Sequence, residues 1–433
     1  MSKNVCFFHH YATPLSMSGM QRPSYFAKQL ALSGYKTTVF AAAYLHYSNQ
    51  NLIENKKDLY VVQKEGDTTF VFVRTPAYTD SLKARVKNML AYFWNVRKAA
   101  KQYFKEHPEA KPDVIIASSP HPFTMAAGIF AGRTFKVPCI CEVRDFWPEG
   151  FFLRGLVSPK SIFGRLLLRG ERWIYTNADA MIFLKEGDVN YLKEQGWDEN
   201  SPGGNIPLEK CFYINNGIDL PEYLKMREEP YDDPDLKSGK FTVVYVGSVR
   251  RLNNLDHLLD CAKYLQDKED IEFLVFGDGN MLPALKERVA KENITNVKFK
   301  GAVPRKAIPA ILAQSGVALM CYTNTEYNWS RGNSSNKLFE YFAAGKPVIS
   351  TIKMGYDIIE KYQCGFSDET YDPQKLAALI LKVKEMPPDE YKQLCDNAMT
   401  AARDFDFSAL TERLKKVIEY VIAKRRNSTV KEK

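Results

Sequence analysis

Short apolar runs separated by helical patterns constrain this chain more than any other feature. Val5 to Phe8, Lys36 to Ala42, Asp113 to Ala117, Val137 to Val143, Ala178 to Phe183 and Cys211 to Ile214 read as strands. Helical stretches lie between them. Gln21 to Ser33, with apolar Phe26, Leu30 and Leu32, stops at Gly34. Strands that are apolar along their whole length must be covered on both faces, and intervening helices supply that cover. The reading is therefore an α/β fold with parallel, doubly wound sheets. The theme starts again at Phe241 to Val246 and continues through Ile271 to Phe276, Val297 to Phe299 and Gly316 to Cys321, with a helix at Leu255 to Leu265. Between the two series, Pro221 to Lys240 is rich in charge and proline and reads as a linker. Domains over 1–220 and 241–406 follow, and a helix from about Phe407 to Arg426 closes the chain. Its 433 residues suffice for two separate cores.

Several classes fall away on composition. No run approaches the roughly 20 apolar residues of a membrane-crossing helix. The start, Met1 to His10, lacks the apolar stretch of a signal peptide. The eight cysteines form no C-x-x-C pair and sit in strand-like or helix-like runs, as expected of reduced cysteines in a cytoplasmic protein. His and Cys never cluster at zinc-ligand spacing. Asp233-Pro234-Asp235 has the D-x-D form of some metal sites but follows no strand, so it reads as a solvated loop. No metal and no cofactor are expected. The net charge of +9 suits anionic partners without choosing among them.

The run from Ser334 to Ser350 reads as loop, short helix, glycine stop and buried strand. Ser335 or Asn336 can cap the helix, and Gly345 with Pro347 ends it. A helix that begins after small polar residues offers backbone N–H groups and a positive dipole end to an anion. Lys337 adds a charge there. Glu340, one turn on, is a carboxylate suited to a ribose diol. An ordinary capped helix with a surface glutamate fits the same spacing. Polar groups also follow other strands, where ligands of open α/β sheets bind. His9 and His10 follow the first strand and His121 another. Arg144-Asp145-Phe146-Trp147-Pro148 follows Val137 to Val143.

Ser334 to Ile349 resembles the nucleotide-sugar site of the retaining family 4 glycosyltransferases. These have the GT-B fold, two facing Rossmann-like domains with a cleft between them. The similarity is to the bacterial surface-polysaccharide (capsule and O-antigen) branch, which reads S-x-K-L-F-E-Y-x-A-A-G-K-P-V-I here and V-R-D-x-W-P at Arg144 to Pro148. The larger family carries a second glutamate eight positions before Glu340, where this chain has Gly332. The resemblance implies donor contacts from Gly19, Gly247, Ser248, Arg251 (or Arg250), Gly277, Val303, Ser334, Ser335, Asn336, Lys337, Leu338 and Glu340. Gly19 falls in the family's G-G-x-x-R/Q loop with Ser18 for one glycine and Arg22 at its end, and Asn253 replaces a usual lysine after Arg251. It implies Asp145 and Arg144 at the reacting centre, with His10, His121 and Trp147 toward the acceptor. It further implies metal-independent transfer of a sugar, UDP-linked and of N-acetylhexosamine type, to a polyprenyl-diphosphate-linked saccharide. In relatives the final helix returns to the first domain.

Two segments look membrane-facing. Ser81 to Lys105 places Leu82, Val86, Met89, Leu90 and Phe93 on one side among seven basic residues and no acid. Phe151 to Tyr175 mixes Ile162, Phe163 and Leu166 with Arg154, Lys160, Arg165 and Arg169. A peripheral position on the inner membrane surface is the expectation. Nucleic acid is not, since no recognised module appears. The rivals are a UDP-sugar 2-epimerase of the same architecture and a non-catalytic sugar-nucleotide binder.

Overall fold

A computed structural model describes residues 3–46, 48–55, 57–78, 81–324 and 328–431, the last four without their side chains. It divides into two units, Met1–Asn215 with Leu410–Lys433, and Asn216–Ala409. The first holds an eight-stranded sheet: Asn4–Phe8 (β1), Lys36–Ala42 (β2), Tyr60–Glu65 (β3), Thr68–Val73 (β4), Val114–Ser118 (β5), Cys139–Val143 (β6), Ala180–Phe183 (β7) and Cys211–Tyr213 (β8). Their order is β3-β4-β2-β1-β5-β6-β7-β8. The second holds Phe241–Val246 (β9), Ile271–Phe276 (β10), Val297–Gly301 (β11), Val317–Met320 (β12), Val348–Ser350 (β13) and Gly365–Ser367 (β14), in the order β11-β10-β9-β12-β13-β14.

All pairings are parallel except β3 with β4. The apolar runs are buried on both faces, as their composition requires: β5, β6, β7 and β10 are buried at every position. The antiparallel β3–β4 hairpin is an addition to the sequence reading. Its two-residue loop is Gly66-Asp67, with Gly66 at φ +56°, the left-handed conformation that such hairpin turns demand.

Each sheet reverses its strand order once, between β1 and β5 and between β9 and β12. Such switch points open a crevice beyond the carboxyl ends of the strands. In the first unit the helices Arg22–Leu32 (α1), Leu82–Glu106 (α2), Pro122–Phe135 (α3), Trp147–Leu153 (α4) and Ile162–Asn177 (α5) all begin on that side. Rings of Phe93, Phe130 and Trp173 pack α2, α3 and α5 side by side.

Within 221–240 the structure departs from the sequence reading. The stretch 221–240 belongs to the second unit. The helix Leu220–Arg227 fills its start, capped by the Asp219 side chain. Asp233-Pro234-Asp235 is not a solvated loop: Asp233 is buried, and both carboxylates hold β11 lysines. Lys300 lies 2.9 Å from Asp233 and 2.7 Å from Asp235, and Lys298 lies 2.6 Å from Asp235. Charge density that resembled solvation is an ion-pair network. The final helix, Phe407–Lys431, lies against β8 through the Phe212 and Tyr420 rings and a 2.7 Å Lys424–Glu209 pair.

Candidate functional site

In the second unit, the end of β9 is built for close approach. Gly247 has φ +152°, and a Cβ there would sit 2.6 Å from Lys337 Nζ. A Cβ on Gly277 would strike the Gly247 carbonyl oxygen. The two glycines let the β9 and β10 ends touch, joined by Gly247 N–H to Phe276 O at 2.9 Å. The helix Asn336–Ala343 is aimed at the same place. Buried Leu338 and Phe339 anchor it, and the Tyr341 hydroxyl accepts from Val246 N–H at 3.0 Å. Ser335 takes the N-cap position, yet its side chain makes no capping bond. The expected side-chain cap is thus absent: Ser335 N–H is held by Asn333 and the Ser334 carbonyl by Asn216. The first-turn amides keep their polarity for another acceptor.

Lys337 donates to the Tyr245 hydroxyl at 2.9 Å and lies 4.2 Å from that ring's centroid. The Tyr245 hydroxyl in turn donates to Ser248 O at 2.8 Å. Burial lowers the Lys337 ammonium to about 8, a cation that loses its proton readily. Burial pushes the Glu340 carboxyl up, against the pull of Arg305 and Lys337. Structure therefore brings Gly247, Ser248, Gly277, Lys337 and Glu340 to one crevice edge. Arg250 and Arg251 are exposed at the short turn beyond β9, Asn336 is exposed at the helix start, and Val303 is half-buried after β11.

In the first unit, histidines span the switch point. His10 Nδ1 lies 2.5 Å from His121 Nε2, so one of the two donates to the other. His10 stacks on Tyr92 with ring centroids 4.4 Å apart. Both histidines are buried; Asn88 lies beside His10, and among the described residues neither His10 Nε2 nor His121 Nδ1 has a well-formed hydrogen bond. Whichever way the shared proton lies, the neutral pair shows one donor and one acceptor at its outer nitrogens. His9 Nε2 lies 3.2 Å from Arg144 Nη1. An arginine can only donate, so His9 carries its proton on Nδ1. Sequence reading had placed His9 only as a strand-end histidine; this bond ties it to Arg144. Burial lowers all three imidazoles, with Arg144 also lowering His9, and His121 falls to about 3. These rings stay neutral at pH 7. Between pH 5 and 8 their nitrogen-15 NMR signals should not titrate, and a midpoint near 6.5 for any of them would contradict the buried geometry.

Asp145 is exposed, and among the described residues no ion pair joins it to Arg144. Trp147 donates through its indole N–H to Pro120 O at 2.9 Å and sits 6.3 Å from the His121 ring. Gly19 backs onto Thr13, where a Cβ would come within 2.5 Å of Oγ1. Arg22, at the end of the same loop, is engaged elsewhere. It is buried and pairs with Glu142, Nη2 to Oε2 at 2.8 Å. Sequence reading missed Glu142 and Tyr245, because each lies inside an apolar run where only three-dimensional neighbours reveal its partner, and Tyr92, read as a membrane-interface aromatic, is instead buried against His10.

Residues 21–201 match the glycosyl transferase 4-like domain, and residues 226–401 match the glycosyl transferases group 1 family. The chain belongs to the GT-B glycosyltransferases. Over 248 residues this family member is 26% identical to the protein named "Probable glycosyltransferase WbjE" of Pseudomonas aeruginosa, covering 56% of the chain and 59% of that protein. Over 141 residues it is 27% identical to the 2-deoxystreptamine N-acetyl-D-glucosaminyltransferase of Niallia circulans, covering 32% and 33%. The chain thus spans about a third to three-fifths of these curated relatives. Anabaena HepE, solved in complex with UDP, superposes with a TM-score of 0.64 at 15% identity, covering 96% of the chain and 100% of HepE. That likeness speaks to the fold. No helix among the described residues is long and apolar enough to cross a membrane.

Proposed function

We propose that this chain transfers a sugar from a UDP-linked donor, of N-acetylhexosamine type, to a polyprenyl-diphosphate-linked saccharide in surface-polysaccharide assembly, with retention of configuration. The observation that carries the reading is the placement of Lys337 and Glu340 on one helix start at the carboxyl end of β9. Lys337, Arg251 and the uncapped first turn offset the charge of the leaving diphosphate. That arrangement offsets charge without a metal ion. A bound diphosphate would draw the Lys337 proton affinity back up, so the group is cationic when the donor is present. Glu340 accepts from the ribose hydroxyls. The exposed, unpaired Asp145 carboxylate is available to the reacting centre, next to the Arg144–His9 pair. UDP in HepE supports the choice of base, and the N-acetylglucosaminyltransferase relative supports the choice of sugar.

Thermal unfolding with UDP, GDP, UDP-sugars and GDP-mannose, each with and without chelator, tests it. At 100 times its dissociation constant a donor adds about 2.7 kcal/mol of stability. A UDP-dependent rise that survives chelator and disappears in Glu340→Ala is expected. No response to any nucleotide would remove the support for this site.

A further inference from the structure

Among the described residues, seven other than glycine hold a positive φ, and two of these are joined to each other. Asn254 has φ +37° and Tyr371 has φ +55°, and the Asn254 side-chain amide donates to the Tyr371 hydroxyl. Asparagine visits the left-handed region readily, because its short side chain bonds locally. A bulky aromatic does so rarely, and it stays there only where its surroundings over-determine it. An outlier of this kind points to a use for the side chain.

The backbone around Tyr371 is firmly held. Asp368, buried just beyond β14, accepts from the Thr370 N–H at 2.9 Å, the Thr370 hydroxyl at 2.8 Å and the Asp372 N–H at 2.9 Å. Asp372 then caps the helix Pro373–Lys384. The Tyr371 ring lies flat on buried His257 of the helix Leu255–Tyr264, with centroids 4.2 Å apart and planes 2° from parallel. Phenylalanine would fill that space equally well. The hydroxyl has a different part: it accepts from Asn254 and donates to Tyr322 O at 3.2 Å. One oxygen atom therefore ties together the segments that follow β9, β12 and β14. The segment after β9 is the turn that carries exposed Arg250 and Arg251. A second tie to the β12 segment runs from the Thr323 N–H to Leu252 O at 2.9 Å.

We infer that Tyr371 is a positioning residue for the donor diphosphate. It acts through the turn. By fixing Asn254 it sets the direction in which Arg250 and Arg251 are offered, and a planar guanidinium fork depends on direction for its paired bonds to phosphate oxygens. The inference rests on the proposed donor site and adds to it a residue 117 positions from Asn254 in the chain, on the segment beyond the edge strand β14. In a purely structural role the hydroxyl would contribute to stability and leave nucleotide binding alone.

Calorimetric titration of the full chain with UDP and with UMP, beside thermal unfolding of the unliganded protein, tests the role. Tyr371→Phe removes the hydroxyl and keeps the ring stack. Asn254→Gly keeps the left-handed backbone and removes the amide, which caps no helix. Each should weaken UDP about three- to tenfold, the loss expected of one hydrogen bond, and leave UMP, which lacks the outer phosphate, within about twofold of wild type. The double variant should bind UDP no more weakly than the weaker single one, since both changes break the same bond. If Tyr371→Phe lowers the melting temperature, Asn254→Gly carries the same comparison with the ring in place. UDP affinity equal to wild type in both variants would overturn the assignment and leave the donor site standing. Equal losses for UDP and UMP, or losses that multiply in the double variant, would overturn it as well. A wild type that binds neither nucleotide would remove the donor site itself, and this role with it.

Discussion

Arg22→Ala should cost about 3–5 kcal/mol of stability, on the order of a 10 °C fall in Tm. Arg22 and Glu142 are both buried. The guanidinium donates to Glu142 Oε2 from Nε at 2.9 Å and Nη2 at 2.8 Å, and also to the Ile214 and Asn215 carbonyls. Ser118 Oγ holds the other carboxylate oxygen at 2.6 Å. Deleting the arginine strands a buried carboxylate with one donor and removes a donor from two backbone carbonyls, which is far costlier than replacing both ions together. Arg22→Met with Glu142→Gln should therefore recover part of the loss, a coupling that single variants cannot show. The pH dependence has a definite sign. Burial alone would raise the Glu142 carboxyl, but Arg22 above all, then Arg144 and Ser118, hold it below the usual range. A depressed carboxylate contributes stability above its unfolded value, near 4.3, and loses it as pH falls through the folded value. The gap between wild type and Arg22→Ala should be full at pH 7 and shrink below about pH 4. A Tm within 2 °C of wild type at neutral pH would show that the pair contributes nothing to the fold.

Arg22 also shows where sequence reading stops. As a string, Ser18-Gly19-Met20-Gln21-Arg22 places an arginine after a glycine turn, a pattern that fits phosphate binding. What decides the matter is Glu142, 120 residues away in a strand whose other positions are apolar, and no local pattern announces that contact. Strand runs were legible because a strand buried on both faces must be apolar throughout. The β3–β4 hairpin had its own signal in Gly66-Asp67 between two β-rich runs, although its strands are weaker in hydrophobicity. Asp233 and Asp235 were misread because local charge density is the same for a solvated loop and for carboxylates that grip Lys298 and Lys300. At the second switch point, the helix that carries Lys337 and Glu340 was legible from its small polar start and its Gly345 stop, although the expected Ser335 side-chain cap does not form. Tyr245, which holds Lys337, was not, as it comes from a different strand.

Lys337→Met should separate stability from binding at that point. An unfolded lysine titrates near 10.4, whereas burial brings Lys337 to about 8. The folded state therefore binds its proton less tightly than the unfolded chain does. Between these values stability rises with pH, and below pH 8 the charge is a net cost. The lysine is half-buried, so solvent screening reduces that cost to about 1–2 kcal/mol. Methionine keeps the length of the chain without the charge. It leaves no orphan, because the Tyr245 hydroxyl still donates to Ser248 O. The unliganded variant should be more stable at pH 7 by about 1–2 kcal/mol, a gain that fades as pH rises from about 8 and is gone above about 10.4, where the wild-type lysine is neutral in both states. Nucleotide diphosphate affinity should move the other way. A charge-assisted hydrogen bond contributes about 1.5–3 kcal/mol, so UDP should bind roughly ten- to hundredfold more weakly. Calorimetric titration and thermal unfolding of the same preparation measure both. A variant that is less stable than wild type and binds UDP equally well would show that Lys337 is held by Tyr245 for the sake of the fold alone. Opposite movements of the two quantities would mean that the chain carries a buried cation, at a cost in stability, for an anion that it binds.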